Sequence, residues 1–113
     1  MGEIDGLCAR VVRSAQRRHP HLDIRLALVL PYMTNRLNKD KLYYETSYDE
    51  IIIPEEFAGV HYKGAIKKRN RWMVDKSQYV IAYIHRNFGG ALETMNYAQM
   101  QGKNVINLAP PHL

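Results

Sequence analysis

The chain has 113 residues, enough for one domain and a real core but with little surplus stability. Hydrophobic residues make up 46% and charged residues 24%, an ordinary globular balance that excludes a disordered chain. A net charge of +5 favours anionic partners, with nucleic acid, nucleotides and acidic lipid surfaces all compatible.

The first predicted element is a helix. Ile4, Leu7, Cys8, Val11, Val12 and Ala15 recur at three- and four-residue spacing, which marks one apolar face. Glu3 and Asp5 at its start suit helix capping, and Arg13, Arg17, Arg18 and His19 suit the dipole at its end. Pro20 stops it. Cys8, on the apolar face, is expected to pack in the core, and a single cysteine fits a reducing compartment.

Ile24 to Leu30 is a nearly continuous apolar run and reads as a strand covered on both faces, as in parallel sheets. Thr34, Asn35 and Arg36 follow just past its carboxyl end, which is the ligand edge of open α/β sheets. Leu42 to Tyr48 reads as a short tyrosine-rich helix, Ile51 to Ile53 as a short strand, and Glu55 to Tyr62 as loop. Lys63 to Lys76 favours helix, with Ala65, Ile66, Met73 and Trp72 turned inward. Tyr79 to Ile84 is a second buried-strand run. A helix follows Gly90, with Ala91, Met95 and Ala98 on one face and Gly102 as its C-terminal cap. Val105 to Leu108 is the last strand. Strands alternating with helices predict βαβ units, and so a three-layer, Rossmann-like α/β domain with a mainly parallel sheet of about four strands, spanning 1–113.

Four features carry chemistry. Asn87-Phe88-Gly89-Gly90-Ala91 lies at a strand-to-helix junction, where two glycines let the backbone approach a ligand and the helix N-terminus attracts anions. Thr94, in the first turn, can donate a hydroxyl to the same anion. Gly-Gly also makes plain tight turns, so the signal depends on its position after a buried strand. Lys67-Lys68-Arg69-Asn70-Arg71 is the second feature. It suits a solvated basic face or a nucleic-acid patch, but Arg69 and Asn70 fall near the face marked by Ile66 and Met73. An arginine turned toward the sheet needs a partner, and a ligand phosphate would bind it in bidentate fashion. Third, Asp75 at a helix C-terminus gains nothing from the dipole, which predicts a partner such as Arg69, Arg71 or a backbone N–H. Fourth, Asp5 and Glu3 are explained by capping. No Ser-His-Asp, Cys-His or paired-carboxylate set is present in the sequence, and Glu93 is the acid near the glycine turn, so the residues alone do not support catalysis. The five histidines lack metal-ligand spacing, so no metal and no cofactor is assigned.

Arg69-Asn70-Arg71-Trp72-Met73-Val74-Asp75-Lys76-Ser77, the strand from Tyr79, Gly89-Gly90, and Thr94 through Tyr97-Ala98 together resemble the YpsA-like branch of the SLOG superfamily. Leu30-Pro31 and Tyr48 extend the resemblance through most of the chain. That branch is bacterial, Rossmann-like and largely uncharacterised. It is related to the Lonely Guy phosphoribohydrolases and the DNA-processing protein DprA. In Lonely Guy enzymes an Arg-Lys pair ahead of a Met is followed by Pro-Gly-Gly-x-Gly-Thr-x-x-Glu. The arginine and that glutamate carry the cleavage of a nucleoside monophosphate. The arginine matches Arg69, but Phe88 stands for the Pro, Leu92 for the third Gly and Asn96 for the Glu. The resemblance therefore implies binding or sensing of a nucleotide-derived ligand rather than that hydrolysis. It also implies that Met1 to Asp5 is the tail of a second family motif, so that the N-terminal strands are lacking. A sheet left with open edges and bare faces tends to form a homo-oligomer.

The expectation is a cytoplasmic domain whose Arg69, Asn70, Gly89, Gly90 and Thr94 hold a phosphate-bearing, nucleotide-like small molecule, supported by Asp75, Asp5 and Glu93. Its central spatial element is an Arg69 guanidinium aimed at the Gly89-Gly90 turn. A phosphoribohydrolase-like enzyme using Arg69 and Glu93 is the alternative. A nucleic-acid module using Lys63, Lys67, Lys68, Arg69 and Arg71 is a second alternative. No segment approaches the ~18–20 apolar residues of a membrane span, so no membrane partner is expected.

Overall fold

The computed structural model describes residues 3–33 and 39–110. Thr34, Asn35 and Arg36, singled out at the sheet edge, lie outside the described residues. The chain is mixed α/β and divides into two compact units, Met1–Pro54 and Glu55–Leu113.

The first unit opens with α1 (Glu3–Arg18), stopped ahead of Pro20 as its sequence requires. The strand β1 (Ala27–Val29) then pairs in parallel with β2 (Glu50–Ile52), placing Leu28 opposite Ile51. The short helix α2 (Lys41–Ser47) lies between them in sequence, so the unit is strand–helix–strand. β1 is shorter than its apolar run. The Leu26 N–H donates to the Asp49 carboxylate at 2.8 Å rather than to a ladder carbonyl, so regular pairing begins one residue later. Asp49 also accepts from Arg13 and from Gln16 of α1, both at 2.8 Å. One carboxylate thus fastens the helix to the start of the strand. These bonds hold the C-terminal half of α1, and residues 5–8 stay exposed. Cys8 is therefore exposed, correcting the core placement expected for it.

The second unit begins with a 3-10 turn (Glu55–Phe57) inside the stretch read as plain loop. It buries Phe57, whose ring meets Trp72 edge-on with centroids 6.4 Å apart. α3 (Tyr62–Asp75) starts at His61, whose Nδ1 accepts from the Lys63 N–H. β3 (Tyr79–Ala82) pairs in parallel with β4 (Asn104–Asn107), and α4 (Gly90–Met100) lies between them in sequence. The Asn107 side chain extends the ladder by accepting from Ile84 N and donating to Ile84 O, both at 2.9 Å.

Two corrections follow from the packing. α3 buries Ala65 (1% exposed) and Val74 (3%), whereas Ile66 (45%) and Met73 (43%) face outward. Residues 65 and 74 are about two and a half turns apart and so occupy opposite sides of the helix. α3 packs on two sides, toward the 3-10 turn and toward α4, instead of along one apolar stripe. Nor are the strands covered on both faces. Val80, Ala82 and Val105 are partly covered where the strands meet α4, while Tyr79, Ile81 and Ile106 project from the other face and are exposed.

Candidate functional site

α3 and α4 pack side by side in the second unit, and Ala98 of α4 is fully buried. Asp75 bonds to Tyr97, and Asn70 and Thr94 together border a small cavity of about 240 Å³ next to β3. Contacts thus advance together along both helices, which run in the same direction. Between them lies a cleft of about 580 Å³, a volume in the range of small-molecule sites.

One wall is set by helical spacing on α3. Lys63, Lys67 and Arg71 follow one another at four-residue intervals, with Ile66 and Asn70 beside them. The other wall is α4, with Gly90, Glu93, Thr94, Asn96, Tyr97 and Met100. Among the described residues, none of Lys63, Lys67 and Arg71 has a carboxylate within ion-pair distance. Arg71 instead lies over the Tyr97 ring, 4.8 Å from its centroid. The Tyr97 hydroxyl donates to Asp75 Oδ1 at 2.7 Å, and this bond holds the phenol above its ordinary range, helped by desolvation and by the Asp75 charge. Asp75 therefore does have a specific partner, but it is Tyr97 and not Arg69, Arg71 or a backbone N–H.

Gly89 is the N-cap of α4, with φ 105° and ψ 173°, a conformation that is essentially glycine's alone. Among the described residues no side chain caps the helix, so its first-turn N–H groups keep donors to offer. Among the described residues, no atom lies within 4 Å of where a Cβ would stand at either Gly89 or Gly90. Thr94 is on the wall, but its Oγ1 donates back to Gly90 O at 2.9 Å, leaving acceptor lone pairs rather than a donor for an anion.

Arg69 is half-buried and does not line the cleft. Its Nε donates to Asn70 Oδ1 at 2.8 Å, which leaves the Asn70 amide N–H₂ as that side chain's donor. Asn70, Gly90, Thr94 and Glu93 are thus brought together on the cleft, Asp75 stands behind Tyr97, and Asp5 belongs to the other unit. The basic run is split by its helix. Lys67 and Arg71 face the cleft, while Lys68 turns away and donates to Glu56 O at 2.8 Å. Sequence reasoning missed Tyr97 and the outward Ile66 as wall residues. The four-residue spacing of Lys63, Lys67 and Arg71 was the signal that could have found this face.

No group of three or more His, Cys, Asp or Glu among the described residues is arranged to hold a metal ion. No described helix is long and apolar enough to cross a membrane. No family model, curated protein or solved structure matches the chain.

Proposed function

We propose that the chain is a Rossmann-like domain of the SLOG kind that binds a phosphate-bearing, nucleotide-derived small molecule in the cleft between α3 and α4. The observation that carries this reading is charge placement: Lys63, Lys67 and Arg71 line a groove whose opposite wall begins at the uncapped N-terminus of α4. The phosphate sits near Lys63, Lys67 and the Gly90 amide, where ammonium groups and the helix dipole act together. The Asn70 amide, oriented by Arg69, adds a donor. The flat, less polar part of the ligand lies toward Tyr97 and Met100. In support of the layered fold, each parallel pair is a strand–helix–strand unit, the repeating piece from which Rossmann-like sheets are built.

The test is calorimetric titration of the whole chain with a panel of nucleoside monophosphates. Binding is expected, weakened roughly tenfold by Lys63→Gln and by Lys67→Gln, since a charge-assisted hydrogen bond contributes about 1.5–3 kcal/mol. Arg69→Ala weakens binding through the loss of Asn70 orientation. Absence of heat across the panel would refute the reading.

One observation favours a second reading. Glu93 stands on the cleft wall beside Thr94, one turn from Asn96, so an acid is present where a phosphoribohydrolase-like reaction needs one. Release of free base from a nucleoside monophosphate, abolished in Glu93→Gln while ligand binding persists, would establish that enzyme reading over simple binding.

A further inference from the structure

We infer that the first unit carries a separate binding site, a cleft between α1 and α2 that takes a small aromatic anion, its acidic group held by Arg10 and Arg17 and its ring laid on Tyr43. The cleft encloses about 590 Å³ and lies wholly within the first unit, so the inference is independent of the α3–α4 site.

Arg10, Arg13 and Arg17 share one face of α1 by three- and four-residue spacing. They are not equivalent. Arg13 is held by three acceptors, donating to Gln16 Oε1 at 2.9 Å, Asp49 Oδ1 at 2.8 Å and Ser47 O at 2.7 Å. It builds the cleft by tying α1 to the end of α2. Arg10 and Arg17 flank it and, among the described residues, have no acceptor or carboxylate partner. The Arg10 guanidinium lies beside Gly6, 3.6 Å from where a Cβ would stand. With Arg13 neutralised by Asp49, the cleft keeps Arg10 and Arg17 against Asp5, a net positive charge. The facing wall is aromatic. Tyr43 is exposed and Tyr48 half-buried, and Tyr48 is steadied by stacking on Tyr44 with centroids 6.5 Å apart. Guanidinium groups recognise phosphate or carboxylate by paired hydrogen bonds, and a tyrosine face accepts a planar ring.

The experiment titrates the whole chain, isotope-labelled, with phenyl phosphate, and with inorganic phosphate in parallel, following the amide resonances of Gly6, Ala9, Arg10 and Tyr43. Phenyl phosphate is expected to shift these four and to bind more tightly than inorganic phosphate. The Arg10→Gln, Arg17→Gln double variant should bind roughly tenfold or more weakly. Both side chains are exposed and, among the described residues, without a partner, so the variant's unfolding midpoint should match the parent's, and Lys67→Gln should leave these shifts unchanged. Failure of phenyl phosphate to move the four resonances, or unweakened binding by the double variant, would overturn the site. Equal affinity for inorganic phosphate would overturn the aromatic part of the assignment.

Discussion

The Tyr97 hydroxyl on α4 donates to the Asp75 carboxylate at the end of α3 across 2.7 Å. A carboxylate at a helix C-terminus faces an unfavourable dipole, and this bond gives it a reason to be there. It also steadies a ring on the cleft wall, the one over which Arg71 lies.

The bond has a titration signature. Tyr97 should ionise above the ordinary phenol value of 10.0, because the Asp75 hydrogen bond favours the protonated ring, with desolvation and the Asp75 charge acting the same way. A folded-state value raised above the unfolded one stabilises fully below the ordinary phenol range, and the contribution is lost as pH rises through the raised value. Ring-carbon NMR titration should therefore find Tyr97 late, and Asp75→Asn should bring it back toward 10.0.

Asp49 shows the opposite sign. Arg13, then the Leu26 N–H and Gln16, hold its carboxyl down to about 2 from an ordinary 3.8. Its contribution is complete above the ordinary value and disappears as pH falls through about 2. Stability measured by denaturant midpoint should decline between those limits in the parent, and Asp49→Asn should flatten that decline.

The two-sided packing of α3 separates neighbouring residues in stability. Val74→Ala removes two buried methyl groups and should lower stability by about 2 kcal/mol, a transfer loss with a cavity added. Met73→Ala, one position away and exposed, should stay within about 0.5 kcal/mol. Urea unfolding with an unchanged m-value would read both.

These residues also show where the sequence was legible. The helices and strands were readable because Pro20, the apolar run before Pro31 and the Gly-Gly turn are local signals. Gly102 was readable for the same reason: with φ 73°, its N–H reaches Gln99 O at 3.1 Å and Lys103 N–H reaches Ala98 O at 3.0 Å, the bonds of a Schellman cap. Facing directions were not local. Ile66 and Met73 have the right spacing for a buried stripe, yet α3 has partners on two sides and buries Ala65 and Val74 instead. The exposed Tyr79 and Ile81 face has the composition of a covered strand. The candidate site was half legible. Asn70, Gly90, Glu93 and Thr94 line the cleft, whereas Arg69, chosen for its charge, bonds to Asn70 and leaves the wall to Lys67 and Arg71.

Two of the three positive-φ glycines among the described residues, Gly102 and Gly89, should differ in what their loss affects. Gly102→Ala forces a Cβ into left-handed backbone and should lower stability by about 1–2 kcal/mol, with ligand binding intact. Gly89→Ala should cost about 1–3 kcal/mol through backbone strain alone, since no atom crowds its Cβ, and should also weaken nucleoside monophosphate binding by displacing the α4 amides. Thermal unfolding and titration of the two variants in parallel would separate these effects.

The most direct test of the cleft is amide NMR of the labelled chain during titration with adenosine monophosphate. Saturable shifts are expected at Gly89, Gly90 and Ala91, together with the side-chain amide of Asn70, with saturation moved roughly tenfold to higher ligand in Lys67→Gln. Saturable shifts confined to other residues, or none at any of these amides, would contradict binding in the cleft.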